Sequence, residues 1–353
     1  MRALAELKIE VTQQCPLACI HCSTSSDRFA KGFLSVEVVS RILREARDLG
    51  AASVAFSGGE PLVYPHLCEV LATGCSLELA ATLYTTGLKN NNLEPLQSHD
   101  VSRLVSAGLR RVVFSIYAAN PVVHNAVTGF ESFESTTQAA KACVSADLSV
   151  EFHFVPLRRN YAELAGVVDL AMRLGVPTVS VLRFVPQGRG AFIKESEGLT
   201  ADDYRMLKQT ITQIRSARKA NLRLGAPMNI LGLGHTCCRV AQDGMLVTPR
   251  GRVRPCDGFK DTDYSNDVYG SVLTSPLSSV WEKSEFLNAA RSLHSQRGNG
   301  CKSCPTGCLA QEALHQGGIQ NLLRRPNNSA SVTGIRTRVK IPTVTPLPNH
   351  ESP

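Results

Sequence analysis

Cys15-Pro16-Leu17-Ala18-Cys19-Ile20-His21-Cys22 places three thiols within eight residues, directly after the apolar run Leu7, Ile9, Val11. The alternation in that run reads as a strand, so the thiols occupy the loop that leaves it. A disulfide framework wants an even number of cysteines in a secreted chain. A zinc site wants a fourth ligand, usually from a second pair. Three thiolates alone suit an iron–sulfur cluster that keeps one iron open to a non-protein ligand. A second stretch, Ser57-Gly58-Gly59-Glu60-Pro61, follows the strand-like run Ser53 to Phe56. Alone it reads as a tight turn closed by proline. Its two glycines also allow a backbone to approach a ligand closely, and Glu60 offers an acceptor for an ammonium.

In this order, each after a strand, the two motifs resemble those of the radical S-adenosylmethionine (SAM) superfamily. The resemblance implies that Cys15, Cys19 and Cys22 hold a [4Fe–4S] cluster whose open iron chelates the amino and carboxylate groups of SAM. It implies that Gly58, Gly59 and Glu60 hold the amino group. One electron then cleaves SAM to methionine and a 5′-deoxyadenosyl radical, which abstracts hydrogen from a substrate carbon. His21 falls where the family usually places an aromatic or other flat side chain.

Composition agrees with an intracellular metalloprotein. The 353 residues allow one large domain or two smaller ones, and 43% apolar residues supply a core. No apolar run approaches the roughly 18 residues of a membrane span. Met1 to Glu10 is charged throughout and lacks the apolar region of a signal peptide. The expected location is the cytoplasm, where 12 cysteines bind metal rather than pair. The net charge of +8 owes half its excess to residues 317–353, with Arg324, Arg325, Arg336, Arg338 and Lys340 against Glu351. That Pro-, Asn-, Ser- and Thr-rich stretch reads as a disordered tail. The remainder carries no dense basic run interleaved with aromatics, so neither nucleic acid nor membrane is an expected partner.

Strands are expected at Ala80–Thr85, Arg111–Tyr117, Val150–Val155 and Thr178–Val185, beyond the two already described. Helices are expected at Leu34–Leu49 (capped by Ser35), Val101–Ala107, Tyr161–Leu174 and Leu199–Ala220. Alternating strands and helices predict an α/β fold, a partial (β/α)6 TIM-like barrel closed by right-handed crossovers. Catalytic groups in such barrels gather at the C-terminal ends of the strands. Ser115, late in strand four, and Arg183, in strand six, thereby become candidates. Resemblance gives each a SAM contact, and an ordinary ion pair is the alternative for Arg183. His153 reads as a satisfied interior residue beside Glu151, and His124 as a structural member of a loop. Cys68, Cys75 and Cys143 read as small buried hydrophobes.

After residue 230 glycines and cysteines return. Met245 to Pro255 reads as a hairpin around Pro249-Arg250-Gly251, and Val280-Trp281 opens a short helix. Cys238, Gly251, Cys256 and the pair Cys301/Cys304 resemble the C-terminal SPASM extension, or its shorter twitch form, so that the resemblance spans about residues 5–315. The divisions expected are 1–198 (barrel), 199–230 (bridging helix and strand), 231–316 (cysteine-rich domain) and 317–353 (tail). Resemblance gives one auxiliary [4Fe–4S] cluster on Cys238, Cys256, Cys301 and Cys304, with a second left open. Cys237 and Cys308 remain over, as replacement ligands, as hydrogen-donor thiols or as inert residues. A structural zinc ribbon is the competing metal reading.

The implied function is radical chemistry on a ribosomally made peptide, by cross-linking, thioether formation or epimerisation. An external flavodoxin- or ferredoxin-like donor would supply electrons, and a separate recognition protein would present the peptide. A dehydrogenase or epimerase of aminocyclitols or sugars is the alternative substrate class. A non-catalytic iron–sulfur or zinc module is the alternative of another kind, and it leaves Gly58-Gly59-Glu60 unexplained.

Overall fold

The computed structural model describes residues 2–217, 221–234, 236, 238–239, 241–259, 270–296, 308 and 310. In chain order the first half runs β1 (Glu6–Thr12), α1 (Val36–Asp48), β2 (Ser53–Gly58), α2 (Leu67–Ser76), β3 (Ala80–Thr85), α3 (Ser98–Ser106) and β4 (Leu109–Ser115). It continues with α4 (Pro121–Thr128), α5 (Phe133–Ser145), β5 (Ser149–Phe154), α6 (Leu164–Arg173) and β6 (Thr178–Val181). Then follow α7 (Lys194–Glu197), α8 (Ala201–Ser216), β7 (Asn221–Leu224), β8 (Gly244–Val247), β9 (Val253–Arg254), α9 (Leu277–Lys283) and α10 (Glu285–Gln296).

The strands form one sheet in the order β7-β6-β5-β4-β3-β2-β1-β8-β9, parallel throughout except for the β8–β9 hairpin. The expected six-stranded α/β unit is present, and three further strands extend it. β7 pairs with β6, so the segment read as a bridge at 199–230 joins the barrel sheet. β8 pairs in parallel with β1, Leu7 opposite Met245 and Ile9 opposite Val247. The cysteine-rich region therefore begins on the same sheet. One apolar core runs through both parts, from Leu7 and Phe56 through Phe114 and Phe152 to Trp281 and Leu287.

Side-chain alternation splits the sheet into two chemistries. Leu7, Ile9, Val54, Phe56, Leu83, Val112, Phe114, Phe152, Val179 and Leu222 are buried on the helix-covered face. The opposite, inner face carries Lys8, Glu10, Thr12, Tyr84, Ser115, Glu151, His153, Ser180 and Arg223 in matching register. A barrel interior this polar is built to hold something other than itself.

Several boundaries differ from expectation. Strand six ends at Val181 because its neighbours β5 and β7 end at Phe154 and Leu224 and offer no further ladder partners. Arg183 thus lies beyond the strand. Strand four starts at Leu109 and ends at Ser115, and strand five ends at Phe154 rather than Val155. The loop around His124 is helix α4, with Asn120 accepting from the Val122 amide as its cap and Pro121 following. Tyr161–Glu163 is a 3₁₀ turn before α6. α8 starts behind a Thr200–Asp203 capping box rather than at Leu199, and ends at Ser216. Cys143 is buried as expected, but Cys68 is half-buried and Cys75 is exposed, near the outer end of α2. The tail at 317–353 lies outside the described residues.

Candidate functional site

The cysteine loop is held from three directions. The Cys15 amide donates to the Asp27 carbonyl (2.9 Å), and the Ala18 and Ile20 amides donate to Thr128 and Val127 at the end of α4 (3.1 and 3.0 Å). Arg189, in the segment after β6, donates its backbone amide to the Cys22 carbonyl (3.0 Å) and its Nε to the Cys19 carbonyl (2.9 Å). Its Nη2 reaches the Ser26 carbonyl (2.6 Å). Gly188 lets this segment come so close: φ is +54°, and a Cβ would lie 2.6 Å from the Ser23 carbonyl and 2.7 Å from that of Cys22. Burial pushes the Cys19 thiol up to about 12, with Cys22 adding to the shift. Cys15 goes well up for the same reasons, burial first and then Cys19.

The glycine loop meets the cysteine loop edge to edge. The Gly59 amide donates to the Thr12 carbonyl (2.7 Å) and the Glu60 amide to the Gln14 carbonyl (2.8 Å). A Cβ on Gly58 would sit 2.3 Å from the Thr12 carbonyl oxygen, and one on Gly59 2.2 Å from that of Gln14. The close approach these glycines permit is to the cysteine loop. Glu60 is fully buried, its Oε1 accepting from the Leu62 amide (3.1 Å) and the Thr85 hydroxyl (2.5 Å). Its Oε2 accepts from the amide and hydroxyl of Thr86 (2.6 Å each). The carboxylate read as an ammonium acceptor therefore ties the loop after β2 to the end of β3. Burial outweighs those four bonds and leaves its carboxyl above the usual range.

Residues 9–171 match the sequence profile of the Radical SAM superfamily, and residues 237–305 match SPASM, an iron–sulfur cluster-binding domain. The chain belongs to the radical SAM superfamily. It is similar to a PqqA peptide cyclase of Streptomyces rochei, 28% identical over 324 residues, covering 88% of this chain and 85% of that one. It is also similar to an AdoMet-dependent heme synthase of Methanosarcina barkeri, 25% identical over 330 residues, covering 86% and 90%. Among solved structures the fold is shared with Streptococcus suis SuiB bound to S-adenosylmethionine. That likeness has a TM-score of 0.71 at 20% identity, over 90% of this chain and 76% of that one. The cofactors are SAM and a [4Fe–4S] cluster, with a further iron–sulfur centre in the SPASM domain.

The radical SAM site fits those groups on its own chemistry. Of its three grouped thiols, Cys15 and Cys19 resist ionisation unless a cation receives them. Among the described residues no three His, Cys, Asp or Glu side chains converge as a single metal ion needs; thiolates binding separate corners of a cluster need not converge. Tyr117, just past β4, is buried against the loop, its ring 4.7 Å from that of His21. Burial and then the Cys19 thiol push its phenol well up, and Ser115 hydrogen-bonds it. Ser115 is thereby joined to the loop through Tyr117. His21 is neutral, pushed down to about 4 by burial and then by Arg189, and its Nδ1 is buried without a partner. Arg183 makes no ion pair among the described residues, and its Nη1 is likewise buried without a partner.

His153 and His124 have structural settings. His153 Nε2 lies 3.2 Å from Glu151, a carboxylate that also meets Arg111, Arg223 and Ser180 across strands β4 to β7. Against the upward push of burial, the bonds from His153 and Ser180 and the charge of Arg223 hold Glu151 down to about 2. His124 is pushed down to about 4 by burial, and its Nδ1 accepts from the Tyr117 amide (3.3 Å).

The second cysteine group stands over the inner face. Cys256 follows β9; Lys8 of β1 pairs with the adjacent Asp257 (2.8 Å), and Gln187 donates to the Gly258 carbonyl (2.7 Å). Burial pushes the Cys256 thiol well up, and Cys308 and then Cys238 are among the groups that add to it. A Cβ on Gly258 would lie 2.7 Å from that of Ala310, so Ala310 packs directly against the Cys256 turn. Cys238, Cys256 and Cys308 are thus brought together. Cys237, Cys301 and Cys304 lie outside the described residues. Sequence reading passed over Arg189 and Tyr117, which no motif marks: the packing of distant loops gives them their places.

Proposed function

We propose that this chain reductively cleaves SAM and abstracts hydrogen from a carbon of a ribosomally made peptide. The observation that carries this reading is the pair of interlocked loops, Cys15–Cys22 against Gly58–Glu60, at the mouth of a polar barrel. Peptide as the substrate is supported by the similarity to PqqA peptide cyclases and to a fold solved with a precursor peptide bound. A small molecule is the second reading, favoured by the similarity to a heme synthase.

When bound, the cluster and SAM would together supply the reducing electron and the radical chemistry that removes a substrate hydrogen. The chain's part is to hold and shield. Cys15, Cys19 and Cys22 would ligate the cluster. The backbone of Gly58 and Gly59 would face the amino acid end of SAM, with buried Glu60 supplying negative charge behind it. His21, Ser115 and Arg183 would border the rest of SAM, the unpartnered nitrogens of His21 and Arg183 finding acceptors there. Cys238, Cys256 and Cys308 would hold the auxiliary cluster, with Cys301 or Cys304 completing it and Cys237 as the remaining hydrogen-donor candidate. The partners proposed are a flavodoxin- or ferredoxin-like donor and a separate peptide-recognition protein, in the cytoplasm. Among the described residues no helix is long and apolar enough to cross a membrane.

The test is iron content, EPR and 5′-deoxyadenosine release by anaerobically reconstituted, dithionite-reduced protein. Wild type is expected to carry about eight irons per chain and to cleave SAM. Replacing Cys15, Cys19 and Cys22 by Ala should leave about four and abolish cleavage. Cleavage persisting in that variant refutes the reading. A mass change in a precursor peptide encoded beside the gene decides for peptide over small molecule.

A further inference from the structure

A small cavity opens beside the cysteine loop, on the polar face of the sheet. Glu10 and Thr12 of β1 and Gly58 at the end of β2 form one wall, Thr24 a second, and Thr248 and Arg250 of the β8–β9 turn a third. Thr24 places it one side chain from a cluster ligand: its hydroxyl is 3.3 Å from Cys22 Sγ and 2.9 Å from Ser26 Oγ. The walls come from both halves of the chain, so the cavity exists only because β8 adds to β1.

Two observations point to an occupant. Thr248 is 6% exposed, and its hydroxyl is buried without a hydrogen-bond partner although it lines the cavity. A buried hydroxyl left so is a cost that a ligand would relieve. The charges are also unequal. Arg254 is fully buried at the cavity and Arg250 stands exposed at the turn, and Glu10 is the one carboxylate among the described lining residues. Among the described residues no carboxylate pairs with Arg250. Arg250 therefore brings to the cavity a positive charge that an anion would meet. A planar guanidinium matches a carboxylate in two parallel hydrogen bonds.

We propose that this cavity receives a carboxylate of the peptide substrate, with Arg250 as its ion-pair partner and Thr248 as a hydrogen-bond donor. The proposal rests on the peptide reading above. It makes the β8–β9 turn a specificity element that fixes one acidic group beside the radical site.

The test uses reconstituted, SAM-bound enzyme and three probes in calorimetry or saturation-transfer NMR at millimolar concentration. Acetyl-Gly-Glu-Gly-amide offers a side-chain carboxylate, acetyl-Gly-Gln-Gly a terminal one, and acetyl-Gly-Gln-Gly-amide none. At least one acid is expected to bind and the amide not to. Whichever acid binds better assigns the carboxylate to an internal acidic residue or to the peptide's end. Arg250→Ala should weaken that binding about ten- to hundredfold, and Thr248→Val by up to roughly tenfold. Iron content and urea unfolding of both variants show whether they fold. No binding by either acid, equal binding of the amide, or unchanged binding by folded variants overturns the proposal. SAM cleavage is followed in the same samples: wild type that fails to cleave SAM refutes the underlying reading, whereas cleavage without probe binding refutes only this one.

Discussion

Replacing Glu60 by Gln isolates what the buried carboxylate does. Each oxygen accepts one hydroxyl and one backbone amide, Leu62 N–H on Oε1 and Thr86 N–H on Oε2. Hydroxyls can turn to accept, but backbone amides cannot. Whichever way the glutamine amide is flipped, its NH₂ faces one fixed N–H and leaves it without an acceptor. That loss costs about 1–3 kcal/mol, and weakening the remaining charge-assisted bonds adds about 1. Removing the charge returns part of the desolvation that raises the Glu60 pKa. The net expectation is a loss of about 2 kcal/mol. With a urea slope of about 3 kcal/mol/M for a chain of this size, the midpoint of the apo protein at pH 7 falls by roughly 0.7 M. Thr86→Val removes one donor and should cost about 1 kcal/mol. An unchanged midpoint in Glu60→Gln together with lost SAM binding would refute this reasoning, since the carboxylate would then serve the cofactor and not the loop.

Three further outcomes follow from the same contacts. Glu151 has a depressed folded pKa of about 2 against 4.5 unfolded, so its stabilisation is present above pH 4.5 and is lost as pH falls toward 2. About 3 kcal/mol is at stake, and acid titration of stability should show a shallower fall in Glu151→Gln than in wild type; parallel curves would remove Glu151 from the account. Gly188→Ala puts a Cβ against two carbonyls of the cysteine loop at a left-handed φ, which should cost about 2–4 kcal/mol and lower iron per chain. Full iron loading in that variant would show that the Arg189 segment does not shape the loop. Cys308→Ala should lower iron content and bleach the auxiliary EPR signal while Cys15, Cys19 and Cys22 keep theirs, and full auxiliary iron would return Cys308 to the spare thiols.

The sequence by itself determined the chemistry of the site and the repeat that carries it. Three thiols and a Gly-Gly-Glu turn, each behind a strand, need only local spacing to be legible, and alternation alone marks strands such as Ala80–Thr85. Ser35 and Gly50 bound α1 through interactions a few residues apart, which is why that helix is legible in the sequence nearly to the residue. Tertiary structure decided the rest, because the deciding partners are far apart in the chain. Strand six stops where its neighbours stop, so Arg183 leaves the strand that its Val-rich surroundings suggested. Gly58 and Gly59 are small because the Thr12 and Gln14 carbonyls pack on them, a contact invisible in a turn motif. Glu60 faces Thr85 and Thr86 across 25 residues, and Arg189 reaches back 170 residues to Cys19. Cys308 joins Cys256 only once the chain at Ala310 packs on Gly258. The cavity beside Cys22 needs β8 on the edge of β1, a pairing between residues more than 230 apart that no local pattern encodes.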